Sequence, residues 1–373
     1  MAEQLPIVDL TAYYAGGPQL RDAQHAIQAM HAAASKWGFF LITGTQVSPQ
    51  TQSSLLSVSR SFFDLPLAAK TALDVSNGGV AWRGYMPLGG EHTHGRLDWK
   101  EGLYVGPEHT DDHPLAGLPL HGRNQFPDQE LPDMRPTVLE YVDKVTELGK
   151  TLTDMFSLGL GLGQDELRQA LLEPEPVVLF RCFKYAPVKA DALQGAAPEE
   201  PKNGNSEKSF GIGEHTDFGF LTILKVDSPG LQILSPSDEW IDVPVVENSF
   251  VVNIGDMFDQ LTHGRYRSRP HRVLRPGPDS APRFSFPLFF DFAWNAKMVR
   301  LSLDHLPPLS DEEKLLAKKR WAATTFREVE GRWSQYLARK VQKVFPDLKI
   351  PDFEPNAAPS TRFTRVVGVE SST

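Results

Sequence analysis

The 373 residues carry 38 Lys and Arg against 47 Asp and Glu, a net charge of −9, which leaves no basic surplus of the kind that draws a chain to nucleic acid. A hydrophobic fraction of 40% supplies a core for one large domain, or for a core with an attached second part. The single cysteine, Cys182, excludes an internal disulfide framework and suits a reducing compartment. No apolar run approaches the ~20 residues of a membrane helix, and residues 1–10 are too short and too acidic for a signal sequence. The expectation is a cytoplasmic chain with no membrane and no nucleic-acid partner; oligomeric state is not readable.

In chain order, residues 6–10 predict a short strand and 20–37 a helix, with Ala26, Ile27, Met30, Ala33 and Ala34 on one stripe. A buried strand follows at 38–44, then a helix at 48–64 closed by Leu65-Pro66. Residues 78–121 are loop-rich. Within them Arg83, Tyr85, His94 and Lys100 are expected first as surface and salt-bridge residues, with contact to a polar substrate as the alternative. His92 and His94 share a face if extended, but no partner at metal spacing completes a site. Residues 136–162 form the clearest amphipathic pattern, through Val138, Val142, Val145, Leu148, Leu152 and Met155. Its Gly-rich end lacks the Lys-Ser/Thr of a phosphate loop and is a helix stop. Residues 177–185 predict an apolar strand in which Cys182 is a small buried filler. The polar stretch 189–209 has no periodicity and is expected to be a loop or flap over the site.

Residues 210–294 carry the chemistry. Gly213-Glu214-His215-Thr216-Asp217-Phe218-Gly219 runs into apolar Phe220-Leu221-Thr222-Ile223-Leu224. His215 and Asp217 are two apart, so on an extended segment they share one face and can take adjacent positions on one cation. A third ligand must come from another strand, and His271 in Ser268-Arg269-Pro270-His271-Arg272-Val273 is the candidate. Two imidazoles and a carboxylate with open positions suit non-haem Fe(II). Two of those positions can hold a bidentate 2-oxo acid, and one is left for dioxygen. Arg283 and Ser285 again share a face. A guanidinium fork matches a carboxylate bidentately, so the pair could hold the distal carboxylate of a diacid chelating the metal. Glu108-His109-Thr110-Asp111 repeats Glu214-His215-Thr216-Asp217 letter for letter. It lies in a polar stretch between Pro107 and Pro114, where a solvated loop is expected. Strands at 220–226, 231–234, 240–243 and 249–254, with turns between them, suggest a sandwich or jelly-roll. Asp256, after Gly255, is assigned to a tight turn.

His-x-Asp, a distal His and Arg-x-Ser in this order resemble the Fe(II)/2-oxoglutarate-dependent dioxygenases, in the branch similar to isopenicillin N synthase. The opening Pro-Ile-Val-Asp, Trp-Gly-Phe-Phe and Phe-Phe-Asp-Leu-Pro resembles the same branch, so the likeness covers most of the chain. It implies a mixed α and β fold: a double-stranded β-helix (jelly-roll) core with an N-terminal α/β region and C-terminal helices. It implies His215, Asp217 and His271 as iron ligands, and Arg283 with Ser285 as 2-oxoglutarate contacts. Arg181-Cys182-Phe183-Lys184-Tyr185-Ala186-Pro187 resembles the family's Arg-x-Asn-Tyr-Tyr-Pro-Pro strand. Tyr185 then becomes a further 2-oxoglutarate contact, while Phe183 stands where the family often has Asn. The implied reaction converts 2-oxoglutarate and O2 to succinate and CO2 while an unactivated C–H bond of a small molecule is oxidised, usually by hydroxylation. The competing readings are an oxidase of the isopenicillin N synthase or aminocyclopropane-carboxylate oxidase kind, which keeps Arg-x-Ser without consuming 2-oxoglutarate, and a non-enzymatic metal-binding jelly-roll.

Beyond residue 300, Ser310-Asp311-Glu312-Glu313 fits a capping box ahead of a helix through Leu315, Leu316, Trp321 and Phe326. A second helix through Trp333, Leu337, Val341 and Val344 stops at Pro346. These helices either edge the pocket or meet a partner subunit. The expected division is 1–170 as the N-terminal dioxygenase region, 175–300 as the jelly-roll, 301–350 as C-terminal helices and 351–373 as a loose tail. Arg83, Lys100 and Lys184 mildly favour a polar or acidic substrate.

Overall fold

The structure is a computed structural model describing residues 3–93, 96–187, 210–324 and 329–344. The flap expected at 189–209, His94, Phe326, Pro346 and the tail 351–373 lie outside the described residues.

The N-terminal strands are β1 (Ile7–Asp9), β2 (Phe39–Thr43), β3 (Gly84–Met86), β4 (His92–Thr93), β5 (Arg96–Leu97) and β6 (Glu101–Val105). The later strands are β7 (Pro176–Tyr185), β8 (Phe210–His215), β9 (Leu221–Val226), β10 (Leu231–Leu234), β11 (Trp240–Asp242), β12 (Phe250–Ile254), β13 (His271–Leu274) and β14 (Arg283–Ala293). They build an eight-stranded sheet in the order β1-β2-β12-β9-β14-β7-β6-β3, a four-stranded sheet in the order β11-β10-β13-β8, and a β4–β5 ribbon. Apart from the parallel β1–β2 pair, neighbours run antiparallel. Side chains of both sheets line a shared inner cavity, among them Tyr185, Asn253 and Arg283 from the larger and Leu231, His271 and Val273 from the smaller. This two-sheet core is the double-stranded β-helix. The apolar side chains of β7, β9, β12 and β14 are almost all buried on both faces, as in a central strand covered on each side.

Helices flank the sheets, and those at Arg21–Lys36 and Met134–Gly159 pack on the larger one. The helices are α1 (Thr11–Gly16), α2 (Arg21–Lys36), α3 (Pro49–Phe63), α4 (Leu67–Thr71), α5 (Met134–Gly159) and α6 (Glu166–Leu171), then α7 (Asp256–Leu261), α8 (Asp311–Ala323) and α9 (Trp333–Val344). Ser48 caps α3 by accepting the Thr51 N–H at 3.0 Å, and Ser310 and Glu313 form the expected capping box of α8. In α5, Val138, Tyr141, Val142, Val145, Leu148 and Leu152 are buried along one stripe. Gly149 lets this helix approach the sheet, because a Cβ there would lie 2.6 Å from the Phe290 ring. Two expectations change. Gly255-Asp256 is no tight turn: Gly255 is the N-cap of α7, and Asp256 is its first residue. The helix expected to run through Phe326 ends at Ala323 as described.

The C-terminal helix α9 packs against the jelly-roll. Trp333 is fully buried and stacks on Phe218 at 5.4 Å between ring centroids, and Tyr336, Leu337 and Val341 extend the same apolar face. Leu337, Lys340 and Val341 therefore wall the outer cavity beside His215 and Asp217.

Candidate metal centre

His215 is the last residue of β8 and His271 the first of β13, and the two are cross-strand partners. Their ring centroids stand 4.2 Å apart. Asp217 Oδ1 lies 3.9 Å from each Nε2, and one ligand atom from each of the three residues lies within 4.8 Å of the others. The 3.9 Å separations are too long for hydrogen bonds. His215 Nδ1 donates to the Gly213 carbonyl at 2.8 Å, which fixes the tautomer and leaves the Nε2 lone pair facing the cluster. Asp217 Oδ2 accepts from Asn253 Nδ2 at 2.8 Å and from the Thr222 hydroxyl at 2.5 Å. Both bonds turn Oδ1 towards the imidazoles. The sequence logic of one strand face does not hold for this pair, because β8 stops at His215 and Asp217 lies beyond it. Asn253 and Thr222, from β12 and β9, aim the carboxylate instead.

Burial opposes charge on Asp217, but His271 and His215, with the Thr222 and Asn253 hydrogen bonds, outweigh it and hold the carboxyl below its usual range. Burial, then the nearby His271, push the His215 imidazole down to about 4. Near pH 7 the three side chains therefore present one carboxylate and an unprotonated imidazole at His215, which is the form a metal takes.

The second part of the site is a cationic fork. Arg283 opens β14 opposite Tyr185 of β7, and Ser285 pairs with Phe183. Arg283 is only 1% exposed. Its Nε donates to the Ser228 and Pro229 carbonyls at 3.2 and 3.1 Å, while Nη1 and Nη2 are buried without hydrogen-bond partners. Burial pulls the guanidinium below its ordinary value. Ser285 donates to the Tyr185 hydroxyl at 3.3 Å, and the Tyr185 ring lies 5.1 Å from the guanidinium carbon. These three residues and the His215–Asp217–His271 cluster line one inner cavity, with Phe39, Leu224 and Phe289 as apolar walls. A buried, unpaired donor fork calls for an anionic partner.

A wider cavity of about 450 Å3 opens on the other side of His215 and Asp217. Lys100 lines it, bonded to Glu91 at 2.9 Å and Asp98 at 2.7 Å. Burial works against the Lys100 charge, but Glu91 and Asp98 raise it overall. Burial likewise opposes charge on Glu91, and Lys100 with Arg181 still bring that carboxyl down to about 2. Arg181 stands 3.7 Å from the Tyr104 ring centre and 4.6 Å from that of Trp82. Asp291 also lines the cavity; burial, against a hydrogen bond from the Phe220 N–H, pushes its carboxyl up to about 7. Gly219 must be glycine-sized here, since a Cβ would lie 1.8 Å from Asp291 Oδ1.

Of the residues expected first as surface and salt-bridge side chains, Lys100 lines the cavity. Arg83 is fully buried and donates to the Leu120 carbonyl at 2.7 Å, and buried Tyr85 donates to Glu101 at 2.7 Å. Lys184 pairs with Glu101 at 3.6 Å. The repeated Glu108-His109 is not solvated: His109 is 5% exposed, and Glu108 accepts from Asn124 and Arg135. Thr110 and Asp111 alone keep the expected exposure. Asn253, Thr222 and Arg181 escaped the sequence reading. The signal was there, as single polar residues inside otherwise apolar strands. Cys182 is buried, as expected.

A core of two β-sheets carrying a two-histidine, one-carboxylate cluster beside a buried arginine defines a mononuclear non-haem metalloenzyme of the jelly-roll class. Comparison with known proteins places the chain more closely. Residues 5–129 match the family model for the non-haem dioxygenase in morphine synthesis N-terminal region, and residues 180–291 match the 2OG-Fe(II) oxygenase superfamily. The chain is 37% identical over 358 residues to a "probable iron/ascorbate oxidoreductase" of Dictyostelium discoideum, covering 93% of this chain and 96% of that protein. It is 32% identical to a 1-aminocyclopropane-1-carboxylate oxidase of the same organism, over 92% of this chain and 96% of that one. Its fold is that of a full-length Neurospora crassa protein solved in complex with alpha-KG, with a TM-score of 0.70 at 20% identity, over 92% of this chain and 96% of that chain. The chain belongs to the 2OG-Fe(II) oxygenase superfamily and is a 2-oxoglutarate-dependent dioxygenase that uses Fe(II), 2-oxoglutarate and O2. Among the described residues no helix is long and apolar enough to cross a membrane.

Proposed function

We propose that His215, Asp217 and His271 hold the Fe(II), that Arg283 with Ser285 and Tyr185 receives the distal carboxylate of 2-oxoglutarate, and that the enzyme hydroxylates a polar small molecule seated in the outer cavity. The carrying observation is the paired geometry. Asp217 Oδ1 and two imidazole nitrogens converge at 3.9 Å, and the unpaired Nη1 and Nη2 of Arg283 share their cavity. Both parts fit the cosubstrate, because a 2-oxo diacid has a chelating end and a carboxylate end.

Iron, with 2-oxoglutarate and O2, supplies the oxidising chemistry. The chain's own share is binding, orientation and exclusion of water. Asn253 and Thr222 occupy Asp217 Oδ2, so Oδ1 is the oxygen that would hold the metal. Arg283 fixes the cosubstrate's angle from a rigid seat, since its Nε is already tied to two carbonyls. Phe289 stands in both cavities and separates cosubstrate from substrate. Arg181 and Lys100 offer donors to a polar substrate, and Glu91 holds both in place. Cytoplasmic location is part of the same reading.

The test is 2-oxoglutarate-dependent succinate release by Fe(II)-loaded protein, screened against a panel of polar metabolites. Stoichiometric succinate and hydroxylated product support the reading. Oxygen consumption with product formed in the absence of 2-oxoglutarate would overturn it.

A further inference from the structure

The connection between β6 and α5, residues 106–133, contains no helix or strand. Connections longer than about 12–15 residues without secondary structure are uncommon in compact domains unless something holds them down. Two holds are plain. Arg83 donates to the Leu120 carbonyl at 2.7 Å, and Asn124 donates to Gly106 O and Glu108 Oε2, each at 2.9 Å. A third place of contact is different in kind. His109 and His121, 5% and 2% exposed, meet Glu175 at the entrance to β7. The two imidazole centroids lie 4.8 Å apart, and His109 Nε2 is 3.6 Å from Glu175 Oε1. One ligand atom from each residue lies within 4.8 Å of the others, as at His215, Asp217 and His271.

These contacts are not hydrogen bonds. Glu175 Oε1 and His109 Nδ1 are buried and have no hydrogen-bond partner. Hydrogen bonds between such groups run at about 2.7–3.2 Å. Around a tetrahedral cation with bonds of about 2.0–2.1 Å, neighbouring ligand atoms stand about 3.3–3.4 Å apart, which is close to the 3.6 Å seen. His121 Nδ1 donates to the Pro119 carbonyl at 2.8 Å, so its Nε2 carries the lone pair. Burial depresses both imidazoles, His109 to about 4 and His121 to about 3, which keeps them neutral and able to ligate. His113 plays another part. Its Nδ1 accepts the Leu115 N–H at 3.2 Å, and its Nε2 stands 3.4 Å from Glu175 Oε1, so it borders the cluster without being one of its three ligands. The Arg83 charge near His109 and His121 works against a cation there, and the Glu175 carboxylate works for one.

We propose that His109, His121 and Glu175 form a second metal site, separate from the iron centre, that takes a borderline divalent cation such as Zn(II). Imidazole pairs suit such ions, whereas Mg(II) and Ca(II) take oxygen ligands. Solvent on the partly exposed side of Glu175 completes the shell. The ion pins residues 106–133 to the start of β7. Leu120, next to His121, lines the outer cavity, so the clasp also fixes part of the substrate wall.

The test counts zinc in chelator-stripped, reconstituted full-length protein. Asp217→Ala, in which the iron centre is disabled, is expected to retain one equivalent of Zn(II), and adding His121→Ala or Glu175→Gln to it removes that equivalent. Zn(II) is expected to raise the unfolding midpoint of Asp217→Ala by about 5 °C or more and to leave Asp217→Ala/Glu175→Gln unmoved. Circular dichroism shows whether each variant is folded, and either second substitution suffices. No zinc bound by folded Asp217→Ala, or zinc that survives both second substitutions, overturns the proposal. Failure of the iron reading is read separately, as Fe(II) retained by Asp217→Ala.

Discussion

Replacing Arg283 separates a guanidinium that anchors a cosubstrate from one that only braces the sheet. Nε already satisfies two carbonyls, while Nη1 and Nη2 are buried and unpaired. If they receive the distal carboxylate of 2-oxoglutarate, Arg283→Leu leaves that carboxylate buried and unpaired. Breaking a buried ion pair in this way costs about 3–5 kcal/mol. At about 1.4 kcal/mol per tenfold, the 2-oxoglutarate Kd is expected to rise by roughly 100-fold or more. Arg283→Lys keeps the charge but loses the fork, so a rise of about 10-fold is expected, one charge-assisted hydrogen bond's worth. The assay is calorimetric titration of 2-oxoglutarate into anaerobic Fe(II)-loaded protein, with iron content measured in parallel. Iron content is expected to be unchanged, because Arg283 touches none of the three ligands. Kd values within about two-fold of wild type in both folded variants would refute the argument.

Asn253→Ala removes the 2.8 Å bond that turns Asp217, and Fe(II) affinity is expected to fall about 10-fold or more, as measured by chelator competition. Gly255→Ala would place a Cβ 2.2 Å from the Gly219 carbonyl oxygen; backbone cannot yield as a side chain can, and urea unfolding should show a loss of about 2–3 kcal/mol. Burial raises the Asp154 carboxyl to about 6 despite the Arg168 charge. Its stabilising share is therefore full below the ordinary carboxylate value and is lost as pH rises through about 6. Asp154→Asn is expected to flatten the fall in stability between about pH 4 and 6, by about 1–3 kcal/mol, as followed by melts across that range.

Local patterns carried much of the architecture into the sequence. The stripe at Ala26, Ile27, Met30, Ala33 and Ala34 is the buried face of α2. Ser48 and Ser310 cap where capping chemistry placed them, since a cap is decided within four residues. The order His215, Asp217, His271, Arg283, Ser285 is likewise one-dimensional, and the two histidines become neighbours because the antiparallel β8–β13 pair, irregular beyond this point, sets His271 opposite His215.

Other features exist only once distant strands meet. Asp217 lies past the end of β8, so its aim depends on Asn253 from β12 and Thr222 from β9, 36 and 5 residues away. No spacing rule reports such a bond. The two identical tetrapeptides share their letters but not their surroundings: Asp217 meets two imidazoles, whereas His109 is carried inward to His121 and Glu175 while Asp111 stays exposed. Whether α9 faced a pocket or a partner was equally open, because an apolar stripe records that a face is covered and not by what. Trp333 stacking on Phe218 decided it. The sequence by itself determined which residues have the chemistry to ligate, cap and fill; the tertiary structure decided which of them share a cavity, because burial and long-range hydrogen bonds depend on three-dimensional distance rather than chain distance.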